Sequence, residues 1–169
     1  MDVEEAIRTR RTHKVYGPDP VDRRTLEELL ELARWAPNHH LTNPWRFYVV
    51  GADTLVRLKE VAGPESAAKL DRAPTLVIVT TTRMGDPIQD EEDLLATGVA
   101  AYIVLLAAHA RGLVGYWRTP GFLRTADGRA AAGIPDDERF VALLHLGYAR
   151  QEKDAPEREP AGHYVTYLP

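Results

Sequence analysis

"LLATGVAAYIVLLAAHA", Leu94 to Ala110, is a run of 17 residues without an acidic residue, a lysine or an arginine. How it is read decides the fold. Its length sits at the lower edge of what crosses a bilayer. It is rich in small residues, holds Thr97 and His109, and follows the acidic run "DEED", Asp90 to Asp93. A helix that is apolar on every side is also the central helix of a soluble fold. The expectation is therefore a long buried helix from about Pro87 to Arg111, stopped by Gly112, with no membrane involved.

The neighbouring segments supply what such a helix packs against. "APTLVIVTTT", Ala73 to Thr82, is an unbroken β-branched run, as for a strand buried on both faces. "WRFYVVG", Trp45 to Gly51, and "ERFVALLHLGY", Glu138 to Tyr148, read as further strands, and "LVGYWR" as a short one. Helices are expected over "DVEEAIRTR", over "VDRRTLEELLELARWAP" with Asp22 as N-cap and Pro37 as terminator, over "DTLVRLKEVAG" closed by Gly63, and around "TADGRAAAG". Leu26, Leu29, Leu30 and Ala33 fall at i, i+3, i+4 and i+7, one helical face. The order is that of an α+β (mixed α/β) protein with helices in the majority. The tail "ARQEKDAPEREPAGHYVTYLP" is polar and proline-bearing, then extended at "HYVTYL". An apolar strand there pairs with its own sheet or with a second subunit.

Composition narrows the function. With 169 residues, 44% hydrophobic and 27% charged, the chain suits one globular domain, residues 1–169. The net charge of −4 argues against general nucleic-acid binding and leaves room for a local anion site. With no cysteine, disulfides, thiolate metal sites and a cysteine nucleophile are excluded. The start "MDVEEAIRTR" has no apolar h-region, so a cytoplasmic protein is expected.

Three stretches carry candidate chemistry. "RTRRTHK", Arg8 to Lys14, places three arginines, two threonines and a lysine together. Guanidinium forks with a short hydroxyl suit a phosphate monoester, and the alternative is a solvated basic turn. "APNHHLTNPWRF", Ala36 to Phe47, sets five hydrogen-bonding side chains between a helix and a strand. That is a ligand-facing loop or an ordinary turn. Adjacent histidines such as His39 and His40 are expected to point apart, and no carboxylate is nearby in sequence, so no metal site is expected. "GLVGYWRTPG", Gly112 to Gly121, lacks the G-x-G-x-x-G spacing of dinucleotide folds and places Trp117 beside Arg118.

Taken together, "RRT", the "APNHHLTNPWRF" loop, "GLVGYWR", "HLGY" and the closing "YVTYL" occur in the order and spacing of the nitroreductase family. The chain resembles that family's short branch of NAD(P)H nitroreductases over essentially its whole length. The resemblance implies a three-layer fold, a central mixed β-sheet wrapped by helices around the long buried helix. It implies a homodimer with FMN at the subunit interface, and a tail, about residues 150–169, reaching toward the partner. By the same matching, Arg10, Arg11 and Thr12 hold the FMN phosphate and Lys14 lies near the flavin ring. His39 contacts the cofactor from the partner subunit, and Trp117, Arg118 and Thr119 lie along it. Trp35 stands where the branch also touches flavin, although the branch carries arginine there. Asn43 replaces a common glutamine, and Arg158 resembles a late basic residue of the phosphate site. No catalytic side chain and no metal are implied. The implied reaction is ping-pong: hydride passes from NADH or NADPH to FMN and then to a nitroaromatic, a quinone or a similar small-molecule acceptor. The alternatives are the same fold with flavin-destroying, dehalogenating or dehydrogenating chemistry, and an FMN-binding protein without turnover.

Overall fold

The computed structural model describes residues 1–151 and 154–169. Asp2 caps α1 (Val3–Thr9) by accepting from Glu5 N at 2.9 Å. Asp22 caps α2 (Arg23–Ala33) in the same way, through Thr25 N at 2.9 Å and the Thr25 hydroxyl at 2.7 Å. The chain continues through β1 (Trp45–Val49), α3 (Ala52–Ala62), α4 (Pro64–Leu70), β2 (Thr75–Thr82), α5 (Pro87–Ala110), β3 (Leu113–Arg118), α6 (Ala126–Ala132) and β4 (Glu138–Tyr148). The helix α4 was not expected. Gly63, at φ 73°, ends α3 as read, but Pro64 then occupies the first position of a new helix, where its missing N–H costs nothing.

The four strands form one sheet in the order β1-β2-β4-β3, every neighbouring pair antiparallel. The expected mixed character is confined to an isolated parallel bridge between Thr12 and Gly115 at the outer edge of β3. Alternate residues of β2 feed two cores, as the period of two demands. Val77 and Val79 join Leu29, Ala33, Ala101, Val104, Leu105 and Leu144 on the side of α2 and α5. Leu76 and Ile78 join Leu58, Leu70, Leu123, Phe140 and Leu143 on the opposite side. This explains why β2 carries no polar alternation. The helix α5 is long and apolar enough to span a membrane, yet Ala100, Ala101, Val104 and Ala108 are buried within the first core, as the core-helix reading expects. Gly112, at φ 77°, turns the chain from α5 into β3.

Two buried polar groups fasten the sheet. Glu138 at the start of β4 accepts from Tyr48 Oη of β1 at 2.8 and 2.9 Å and from the Thr80 hydroxyl of β2, joining three strands. His145 of β4 has no solvent exposure and lies between Tyr16 and Tyr116, with ring centroids 6.5 and 5.9 Å away. Its Nε2 is 3.5 Å from Nη1 of Arg118. Guanidinium can only donate, so Nε2 accepts and the proton resides on Nδ1. Burial, with Arg118 and Arg72 adding to it, pushes the imidazole pKa down to about 3. In the terminal tail, Ala161–His163 form a single 3-10 turn, and no ladder includes Tyr164 to Pro169.

His145 makes the acid stability testable. A histidine held neutral in the fold binds more protons when unfolded, so stability should fall as pH drops from about 6.5 toward 3 and should not depend on this group above that window. Each unit within the window costs up to about 1.4 kcal/mol for one proton. Denaturant titrations at several pH values should show a shallower slope for His145→Gln than for the parent protein. Equal slopes would remove His145 from the account.

Candidate active site

The N-terminal segment is placed by the edge of β3. It leaves α1 at Arg10, which has extended backbone angles (φ −59°, ψ 133°). It then runs beside the strand through the Thr12–Gly115 bridge and the His13 N to Gly115 O hydrogen bond of 3.2 Å. Tyr16 continues the alignment by bridging to Ala149. The side chains of "RRTHK" are divided. Arg10 lies against Tyr102 of α5, Lys14 lies against Tyr116, which faces away from α5, and Arg11 and His13 line a cavity.

The guanidinium of Arg10 lies 5.3 Å from the Tyr102 ring centroid of α5, and its Nε is shut from solvent with no hydrogen-bond partner. The ammonium of Lys14 and the guanidinium of Arg118 lie 5.9 and 6.0 Å from the Tyr116 ring centroid. Burial draws the Arg118 pKa below its ordinary value, and its Nη1 also donates to the Lys69 carbonyl at 3.3 Å. Arg11 instead lines a cavity of about 640 Å³ with Thr9, His13, His109 and Asp154, its Nε and Nη1 without partners. In that cavity the single hydroxyl hydrogen of Thr9 goes to the Glu5 carbonyl, so its oxygen accepts from Nε2 of His109 at 2.8 Å. Burial, and then the charge of Arg10, hold the His109 pKa down.

The loop from Asn38 to Asn43 is the second part. Its backbone is unusual: His40, Leu41 and Asn43 have φ of 54°, 53° and 48°. Left-handed φ in side-chain-bearing residues costs energy and marks a held conformation. Asn38 Oδ1 accepts from Asn43 N at 2.9 Å, and Asn43 Nδ2 donates to the Leu41 carbonyl at 2.7 Å. Thr42 donates its hydroxyl to Oδ1 of Asp93 at 2.6 Å, and Asp93, on α5, is fully buried. His39 Nδ1 lies 2.7 Å from Oε2 of Glu92, one residue earlier on that helix. The side chain of Asn43 is therefore spent within the loop.

The structure thus brings Lys14 and Arg118 together at Tyr116, with exposed Thr119 next in the chain, and places Arg10 against Tyr102 of α5 with exposed Thr12 between Arg10 and Lys14 in sequence. Trp117 does not sit beside Arg118 in space. It points to the α5 side and packs on that core, while Arg118 faces His145 on the other. Trp35, 77% exposed, lies apart in a shallow groove with Val3, Leu32 and Ile103. Arg158 is exposed in the tail. Tyr102, Tyr116, Glu92 and Asp93 were not singled out from the sequence. Only the crossing of α5 behind the loop and the N-terminal segment reveals them. Among the described residues, no group of three or more metal-ligating side chains converges.

The sequence profile of the Nitroreductase family matches residues 7–69 and 62–148. "Putative NAD(P)H nitroreductase YfhC" of Bacillus subtilis is 25% identical over 98% of this chain and 94% of its own length. A nitroreductase-like family protein from Bacillus cereus superposes with a TM-score of 0.89 at 26% identity, covering 99% of this chain and 96% of that one. The FMN and NADPH-dependent nitroreductase NfnB from Sphigopyxis sp. strain HMH shares the fold, with a TM-score of 0.82 at 18% identity over the full length of both chains. In sequence profile and in fold, the chain belongs to the nitroreductase family of oxidoreductases.

Proposed function

We propose that the protein is a homodimeric, cytoplasmic FMN enzyme that takes hydride from NADH or NADPH and reduces nitroaromatic, quinone or similar acceptors. One observation carries this reading. The buried Nε–H of Arg10, two residues before the exposed Thr12 that bridges to β3, has no partner among the described residues. A buried guanidinium donor without an acceptor is costly, and a phosphate oxygen is the acceptor it suits. The donor set fits FMN. The name of the fold neighbour NfnB, as an FMN and NADPH-dependent enzyme, is in keeping with it.

Bound there, FMN would accept the nicotinamide hydride and deliver it to the acceptor. The residues bind and tune. Arg10 and Thr12 hold the phosphate together with Arg11, whose Nε and Nη1 are likewise buried without partners and which borders the cavity. Lys14 and Arg118, converging on Tyr116, supply positive charge where the reduced ring carries negative charge. Thr119 continues that contact, and Trp117 supports the strand from behind. His39 reaches the cofactor of the partner subunit, and Trp35 stands where the short branch of the family also touches flavin. Apolar groups of the tail, Tyr164, Val165, Tyr167 and Leu168, are exposed in a single chain and are covered in the dimer.

The reading is tested by the visible spectrum of the purified protein, with NADH and then NADPH added without oxygen. A flavin spectrum that bleaches is the expected result. A bound flavin that no nicotinamide reduces would favour a binding protein without turnover, and acceptor-independent loss of the flavin would favour the flavin-destroying alternative. Arg10→Ala with Thr12→Ala should fold, as judged by circular dichroism, and purify without flavin. Full flavin content would sink the phosphate assignment. Deleting Tyr164 to Pro169 should shift light scattering toward the monomer, and an unaltered dimer would refute a tail that embraces the partner.

A further inference from the structure

His109 stands in the last turn of α5, beside both arginines of the N-terminal segment. It lines the cavity of about 640 Å³ that Arg11 borders, and Arg11 brings buried, unpartnered Nε and Nη1 donors to it. The charge of Arg10 holds the imidazole pKa down, second only to burial. The Arg10 guanidinium lies against Tyr102, seven residues back on α5 and so on nearly the same helical face as His109.

The contact with Thr9 decides what His109 can offer. The Thr9 hydroxyl donates to the Glu5 carbonyl at 2.6 Å, so its oxygen accepts from Nε2 of His109 at 2.8 Å. The neutral ring therefore carries its hydrogen on Nε2. Its Nδ1 is a lone pair with no partner among the described residues. A lone pair repels a phosphate oxygen. A proton on Nδ1 turns the same atom into a charged donor, and the C-terminal end of a helix favours a cation.

The groups around His109 set the charge balance. From α1, Glu5 pulls its pKa up against Arg10. Arg11, His13 and Asp154 line the cavity with it, as does Met1, which bears the amino terminus, while β3 contributes only Leu113 and Val114. A phosphate monoester dianion held here by Arg10 and Arg11 shares the cavity with the Asp154 carboxylate. Positive charge then falls short, and the anion cancels the repulsion that keeps His109 neutral.

We propose that His109 is a further phosphate ligand of this site, taking a proton from solvent on Nδ1 as the FMN phosphate enters the cavity and donating that hydrogen to a phosphate oxygen. The inference rests on the proposed FMN reading. It couples affinity to pH and favours FMN over riboflavin, which has no phosphate. The complex holds the extra proton, so affinity falls as pH rises above about 6.5, until His109 in the complex also loses its proton. Ionisation of the phosphate itself, near pH 6, acts in the opposite sense.

Two measurements test it. The first is release of FMN on dilution of the loaded protein, read by flavin fluorescence between pH 6.5 and 8.5. The parent Kd should weaken with rising pH, by up to about ten-fold per unit, and His109→Gln should remove this weakening. A parent Kd that does not weaken overturns the assignment. So does a weakening that persists in His109→Gln, which would point to His13 or the amino terminus. The second measurement needs no variant: the ¹⁵N spectrum of the histidine side chains in the parent protein at pH 7. His109 should carry hydrogen on both ring nitrogens with FMN bound, and on Nε2 alone with riboflavin in its place. Hydrogen on Nε2 alone with FMN, or the same state with either flavin, overturns the assignment. A parent protein that binds no flavin defeats the FMN reading and His109 with it, whereas FMN bound with a pH-independent Kd removes His109 alone.

Discussion

A 24-residue helix with almost no charge in its C-terminal two-thirds has to be covered, and the rest of the molecule follows from that requirement. The central strands β2 and β4 are apolar on both faces because one face receives α5 and the other receives α3, α4 and α6. Once buried, α5 becomes the rigid body against which the site is assembled. Glu92 and Asp93 near its start make the contacts that tie down the loop around His39, and Gln89 donates to Asp93 on the same helix. Tyr102, further along, lies beside the Arg10 guanidinium, and His109 at its end binds Thr9. The polar residues of an apolar helix are thus the ones that meet the functional segments.

The electrostatics of the site do not follow the charge of the chain. A net charge of −4 coexists with two cations, Lys14 and Arg118, that meet at Tyr116 and have no carboxylate partner among the described residues. The acidic residues are spent on local business: pairs with arginine or lysine three or four residues away on α1, α2 and α4, and caps such as Asp22 and Asp86. Arg10, Lys14 and Arg118 meet aromatic rings in place of carboxylates. Their charge remains available to a ligand.

Much of this was legible in the order of residues. The four strands, the caps of α1 and α2 and the extent of α5 follow from period, β-branching and terminators, all local signals. Local reading failed where one residue admits two continuations. Gly63 ends α3, but the proline after it opens another helix instead of a loop. Within the site, residue types were legible and directions were not. "RRTHK" reads as one cluster until the structure lays Arg10 against Tyr102, Arg11 along the cavity and Lys14 against Tyr116, and Trp117 and Arg118 part because side chains alternate along β3. The His39–Glu92 pair joins positions 53 residues apart, and His145 in "VALLHLGY" carries no mark of its environment.

The bridge between Thr12 and Gly115 has a consequence for the life of the molecule. The segment that presents Arg10 and Thr12 is held to the sheet by two isolated bridges, Thr12–Gly115 and Tyr16–Ala149, far less than a strand ladder. On the proposed reading, a phosphate gripped by that segment also clamps it in place, and occupancy lends its binding energy to the fold. Copies without cofactor open first at the N-terminal end. Proteolysis would then clear the empty enzyme ahead of the loaded one, so the same few contacts that seat the cofactor would also serve as a check on whether it has been fitted.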